Sequence, residues 1–235
     1  MKFHPDKCQC LRFTGKRKHK RKPPTYKLHN HQISNVQEAT YLGVTLQHDL
    51  SWDQHIKKIV TKANKSLGFL RRNLKVKSKK QKQTAYLSIV RPCLEYSSSV
   101  WDPNTQENIK KIEAVQRRAA RWVSSRYRQS SSVEDMLTDL NWPPLQTRRN
   151  QANLKNFYKY LNSELVVCSK YRPIRPAIPP RNSSRRNHSL FFSIPPGTPA
   201  YRQGTFFPRT IKQWNALPAH TVICESLEEF ESLLP

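Results

Sequence analysis

The spacing of apolar positions changes character along the chain. Cys8 to Phe13, Thr25 to Leu28, Gln32 to Val36 and Thr40 to Leu46 are short alternating or β-branched runs bounded by turn residues, and each predicts a strand. Together they predict a small antiparallel meander of two to four strands, too small to be stable alone. From Ser51 the period becomes helical. At about 100° per residue, Trp52, Ile56, Ile59, Val60, Ala63, Leu67, Leu70 and Leu74 fall within an arc of about 100°, which predicts a helix from about 53 to 74 with one buried stripe.

A second helix is expected from about Lys79 to Val90, with Pro92 near its end or at a kink. A third, from about 105 to 125, carries Ile109, Ile112, Val115, Ala119 and Trp122 at helical spacing. Ser132 with Asp135 resembles a capping box for a short fourth, and Pro143-Pro144 precede a fifth from about 145 to 165. Beyond Lys170, YRPIRPAIPPRNSSRRNH predicts an extended, polyproline-like linker. Pro208 and Pro218 then bracket a short helix, and Leu227, Phe230 and Leu234 mark a last one. The expected class is α+β, mostly α. It comprises short strands over 1–50, a helical bundle over 51–168, a basic linker over 169–204 and short helices over 205–235.

Charge sharpens this picture. Lys and Arg number 42 against 16 Asp and Glu, a net charge of +26. Such an excess is self-repelling unless a polyanion neutralises it, and phosphate backbones are the commonest partner. No acid occurs between Asp53 and Glu95, so the face of the first helix opposite its stripe, with Lys57, Lys58, Lys62, Lys65, Arg71 and Arg72, lacks the carboxylates that i,i+4 pairing needs. We expect it to contact phosphates. Phe69 projects among these cations, where it could stack on a base or sugar or instead pack under a neighbouring element.

The absence of an apolar window of about 18 residues excludes a membrane span. MKFHPDKCQCLRF has no secretory h-region, and five scattered cysteines argue against a disulfide framework. An intracellular and nuclear location is expected. The run Lys16, Arg17, Lys18, Lys20, Arg21 and Lys22, followed by two prolines, reads as a nuclear-localisation-like signal, as a solvated loop that touches nucleic acid, or as both. Cys8 and Cys10 with His4 and His19 raise a zinc site, but no second CxxC or HxxxH pair supports it, and no metal is expected.

Seven segments in order, FHPDKCQCLRF, EATYLGVTLQHDLSWDQHI, TKANKSLGFLRRNL, YLSIVRPCLEYSSSVWDP, IEAVQRRAARWV, NWPPLQTRR and FFPRTIKQWNALP, resemble the C-terminal part of reverse transcriptases of non-LTR retrotransposons of the jockey type. The resemblance covers nearly the whole chain. It implies a late palm, a thumb and the element's C-terminal region. HPDKC would be a late palm motif, with Lys7 near the leaving pyrophosphate in a complete enzyme. Tyr41, Leu42 and Gly43 would form a primer-grip-like turn. The family's paired catalytic aspartates would lie upstream of Met1.

Two-metal phosphoryl transfer needs convergent carboxylates, yet the only adjacent acids outside the tail are Glu134 and Asp135, at a predicted helix start. The chain alone is expected to be inactive, with Mg²⁺ relevant only to a complete polymerase. Its residual role would be to bind RNA, DNA or their hybrid. The alternatives are a free-standing basic protein of chromatin or ribonucleoprotein, or a subunit completed in trans by a separate palm and fingers.

Overall fold

In a computed structural model the described residues are 4, 7–13, 24–128, 131–162, 190–194 and 204–234. They form a mostly helical α+β chain, as the apolar periodicity predicts. Two compact units are present: Met1–Ser97 with Thr105–Met136, and Ser98–Asn104 with Leu137–Pro235.

The first unit opens with short strands: β1 (Gln9–Leu11), β2 (Lys27–Leu28), β3 (His31–Gln32), β4 (Ser34–Val36), β5 (Glu38–Tyr41) and β6 (Val44–Gln47). Among the described residues they pair two by two. β2–β3 and β5–β6 are antiparallel, but β1 pairs parallel with β4, Gln9 opposite Ser34, so the expected meander is not antiparallel throughout. The run Thr40 to Leu46, which its residue pattern alone reads as one strand, is two strands around a turn at Leu42 and Gly43, where the family resemblance expects a turn, with Tyr41 opposite Val44.

Helix α1 (Asp53–Asn73) buries Ile56, Ala63, Leu67 and Leu70, the centre of its predicted stripe. Helix α2 (Lys79–Ala85) does not stop before Pro92. It runs through a widened π turn (Tyr86–Val90) into α3 (Arg91–Glu95), with the Arg91 amide donating to the Tyr86 carbonyl five residues back. Proline lacks an amide hydrogen and its ring collides with the carbonyl four residues earlier, so an extra residue in the turn gives the ring room without ending the helix. Helix α5 (Gln106–Ser124) turns Ile109, Ile112, Val115, Ala119 and Trp122 inward. The buried Tyr86 hydroxyl donates to Gln116 Oε1 at 3.1 Å, and Asn108 Nδ2 donates to Asp53 Oδ1 at 2.7 Å, joining the first turns of α1 and α5.

Helix α6 (Val133–Asp139) starts as its capping pattern predicts, with Ser132 Oγ accepting from the Asp135 amide at 3.2 Å.

In the second unit, α4 (Ser98–Trp101) packs on α7 (Leu145–Leu161), which also holds α8 (Phe206–Asn215) and α10 (Leu227–Ser232); the short α9 (Ala219–Val222) lies between the last two in sequence. Phe157, Tyr158, Phe192, Trp214 and Phe230 form its aromatic core, with the rings of Tyr158 and Phe230 stacked at 4.6 Å. Asn215 accepts from the Phe192 amide (3.1 Å) and donates to the Phe192 carbonyl (2.8 Å), so one side-chain amide holds both backbone groups of Phe192.

Under this core Asp102 is 5% exposed and Arg149 1% exposed. Asp102 Oδ1 accepts from Arg149 Nε at 2.8 Å, while Oδ2 accepts from Asn153 Nδ2 at 3.0 Å and from an Arg209 terminal nitrogen at 2.9 Å. Burial pulls the Arg209 pKa down, opposed by the Asp102 carboxylate and aided by the Arg149 cation. Most of the predicted linker over 169–204 lies outside the described residues.

Candidate nucleic-acid interface

The site is built on α1, and its geometry begins at the entry to that helix. Trp52 cannot cap it with a side-chain oxygen. Gln47 at the end of β6 does so instead, its Oε1 accepting from the Gln54 amide (3.1 Å) and from the Ser51 hydroxyl (2.9 Å). Asp49 accepts from the Ser51 amide at 2.9 Å, a bond that holds its pKa below the usual value.

In the same first turn His55 is buried, and its Nδ1 accepts from the Thr45 amide at 3.1 Å. An accepting Nδ1 carries no proton, so the ring is neutral. Burial is the main reason its pKa is lowered, and the Lys58 cation adds to it. The β5–β6 hairpin is thus docked on the first turns of α1 through a histidine that the apolar periodicity passes over. A signal was present: His55 lies about 40° outside the predicted stripe, close enough to be covered by a neighbouring strand.

With the stripe buried, Lys57, Lys58, Lys62, Lys65, Arg71 and Arg72 are all exposed, as the wheel predicts. Gln54, Lys57, Lys58, Thr61, Lys62, Lys65 and Ser66 line a shallow open depression of about 530 Å³ along this face. From Lys57 to Arg72 it runs about 22 Å at 1.5 Å per residue, the rise of about six base pairs. Phe69, 58% exposed, stands one turn beyond Lys65.

The six cations are not equivalent. Lys58 Nζ is 2.9 Å from Glu38 Oε1 and donates to Thr45 Oγ1 at 3.4 Å, so it fastens the hairpin to the helix. Among the described residues no acid meets the other five.

The Tyr41–Leu42–Gly43 segment forms the tip of the hairpin. Tyr41 and Leu42 are 68% and 73% exposed, and φ is +46° at Leu42 and +80° at Gly43. Positive φ at both central residues is the type I′ pattern, which normally selects Asn-Gly. Tyr96, which sequence reasoning does not single out, places its hydroxyl against the Leu42 carbonyl.

Cations also line α5, where Lys110, Arg117 and Arg118 are exposed. Lys82 lies 6.0 Å from the Trp122 ring centroid and donates to Ser125 Oγ. Lys7 is exposed, its amide donating to the His4 carbonyl, and Cys8 Sγ donates to the same oxygen at 3.4 Å. The 16–22 run and His19 lie outside the described residues.

Among the described residues no three His, Cys, Asp or Glu side chains converge as metal ligands. Asp102 is enclosed by arginines, and Glu134 and Asp135 serve a helix start beside Ser132. These donors do not fit the divalent ions of a polymerase, and no step through such ions follows from them. Among the described residues, too, no helix is long and apolar enough to cross a membrane.

No family model matches the chain, and no solved structure matches it. Over 115 residues, 48% of the chain, it is 30% identical to the probable RNA-directed DNA polymerase from transposon X-element of Drosophila melanogaster. This likeness supports a reverse-transcriptase-related origin for the chain. The chain spans 12% of that transposon polymerase, so the polymerase as a whole has many parts that this stretch does not match.

Proposed function

We propose that the chain is a thumb-side segment of a non-LTR retrotransposon reverse transcriptase whose own task is to hold template–primer, with α1 as the main contact and the Tyr41–Leu42–Gly43 tip meeting the primer strand. One observation carries this reading: five exposed cations along one side of α1 that meet no acid among the described residues, with an exposed aromatic, Phe69, set among them. Lysines and arginines in such a row neutralise successive phosphates and release condensed counterions, while an aromatic ring offers a sequence-tolerant stacking surface. In this reading the chain acts in the nucleus, and catalytic metal chemistry belongs to carboxylates of a complete polymerase.

The test is fluorescence anisotropy of a labelled duplex between about 50 and 200 mM salt. If about four or five of these cations touch phosphates, log affinity falls with log salt at a slope of about −4, at roughly 0.9 counterion per contact. Reversing Lys62 and Lys65 to glutamate should flatten the slope by about two and weaken all sequences alike, because phosphate contacts position without specifying. An unchanged slope in that variant would remove α1 from the interface.

A further inference from the structure

We propose that Tyr96 is a positioning residue that holds the Tyr41–Leu42–Gly43 tip in its binding conformation; the inference rests on the reading of that tip as a nucleic-acid contact. The tip needs a holder. A left-handed conformation brings the Cβ of an ordinary L residue too close to the following carbonyl, and Leu42, at φ +46°, has no side-chain polar group to compensate. At 73% exposure it gains little from burial either. A hairpin built only to reverse the chain would carry asparagine there.

Tyr96 supplies the restraint. Its hydroxyl donates to the Leu42 carbonyl at 3.1 Å, across 54 positions of sequence. Its ring lies against the next residue, where a Cβ added to Gly43 would sit 3.3 Å from Tyr96 Cε1. Gly43 therefore suits both its φ of +80° and the close approach of this ring, which an added Cβ would press back by a few tenths of an ångström. Tyr96 is itself aimed by the end of α3, its amide donating to the Pro92 carbonyl at 3.0 Å, and Ser97, at φ +52°, turns the chain away behind it. The ring is 59% exposed, so it contributes little as a core residue. What it does contribute is a fixed donor at a strained carbonyl.

The experiment uses the full chain and two probes: a labelled DNA primer annealed to a longer RNA template, and a blunt DNA duplex. Tyr41→Ala and Leu42→Ala test the tip, and Tyr96→Phe and Tyr96→Leu test the brace. ¹⁵N spectra report the Gly43 and Val44 amides, and thermal unfolding reports global stability.

We expect the tip variants to weaken the recessed hybrid more than the duplex. Tyr96→Phe should weaken the hybrid roughly twofold to tenfold, the range of one lost hydrogen bond. It should also shift the Gly43 and Val44 resonances and leave the melting temperature and the salt slope near wild type, while Tyr96→Leu should do the same more strongly. If the tip variants weaken the hybrid and both Tyr96 variants bind like wild type, the positioning role is wrong and the reading of the tip survives. If the tip variants bind like wild type, the reading of the tip fails and takes the positioning role with it. A Tyr96→Phe effect accompanied by a large drop in melting temperature would make the residue merely structural, and unshifted turn resonances would overturn the brace.

Discussion

At the scale of single residues, His55 links acidity to the docking of the β5–β6 hairpin. Its buried ring accepts from the Thr45 amide and must stay neutral to do so, and burial lowers its pKa below the usual histidine value. The unfolded chain, with an ordinary value near 6.5, takes up the proton first as pH falls. His55 therefore contributes stability that is complete above about pH 6.5 and is lost as pH falls below it toward the depressed folded value, by up to about 1.4 kcal/mol per pH unit. His55→Gln keeps an acceptor for Thr45 without titrating. Denaturant unfolding of the two proteins from pH 7.5 to 5 should show wild type losing stability relative to the variant below pH 6.5, and parallel curves would show that the ring does not carry the effect.

At the scale of the element, α1 divides its cations between two tasks. Lys58 can reach a phosphate only by leaving Glu38, so its net gain on binding is small, whereas Lys62 and Lys65 displace only counterions. Lys58→Ala should change the salt slope less than Lys62→Ala does. Its stability cost should stay within about 1 kcal/mol, because the ion pair is about half exposed, at 49% and 45%. Phe69→Ala should leave the slope unchanged and weaken single-stranded or hybrid ligands by about 1–3 kcal/mol if the ring stacks on a base. Anisotropy titrations of the three variants check the binding effects, and denaturant unfolding of Lys58→Ala checks its stability cost; equal slopes for Lys58→Ala and Lys62→Ala would erase the division of labour.

For the molecule as a whole, the second unit depends on one carboxylate. Asp102 ties α4, α7 and α8 together through Arg149, Asn153 and Arg209, with Arg149 1% exposed. Removing the acid leaves the buried Arg149 guanidinium uncompensated beside the partly exposed one of Arg209, and breaking a buried pair costs about 3–5 kcal/mol in comparable sites. Asp102→Asn should therefore raise hydrogen exchange across 145–161 and 206–232 toward the globally unfolding rate. A loss below about 1 kcal/mol in denaturant unfolding would mean that water already serves these arginines. Arg149 and Asn153 occupy the same face of α7 as Leu145 and Phe157, at intervals of four, so a charge on an apolar stripe was the visible sign of this cluster.

What the sequence determined by itself was whatever depends on near neighbours. The stripe and basic face of α1, the inward row of α5, the Ser132 cap of α6 and the strand character before Ser51 all follow from spacing over a few residues, because a helix or strand repeats its geometry at every step. Tertiary structure decided the rest. The parallel pairing of β1 with β4 and the passage of a helix through Pro92 by a widened turn each depend on a surface that distant residues build. So do the burial of His55, the capture of Lys58 by Glu38 and the convergence of two arginines on Asp102. Periodicity tells which side of an element is covered. Which polar groups meet beneath the cover depends on how the elements cross, because buried donors and carboxylates must find partners wherever packing places them.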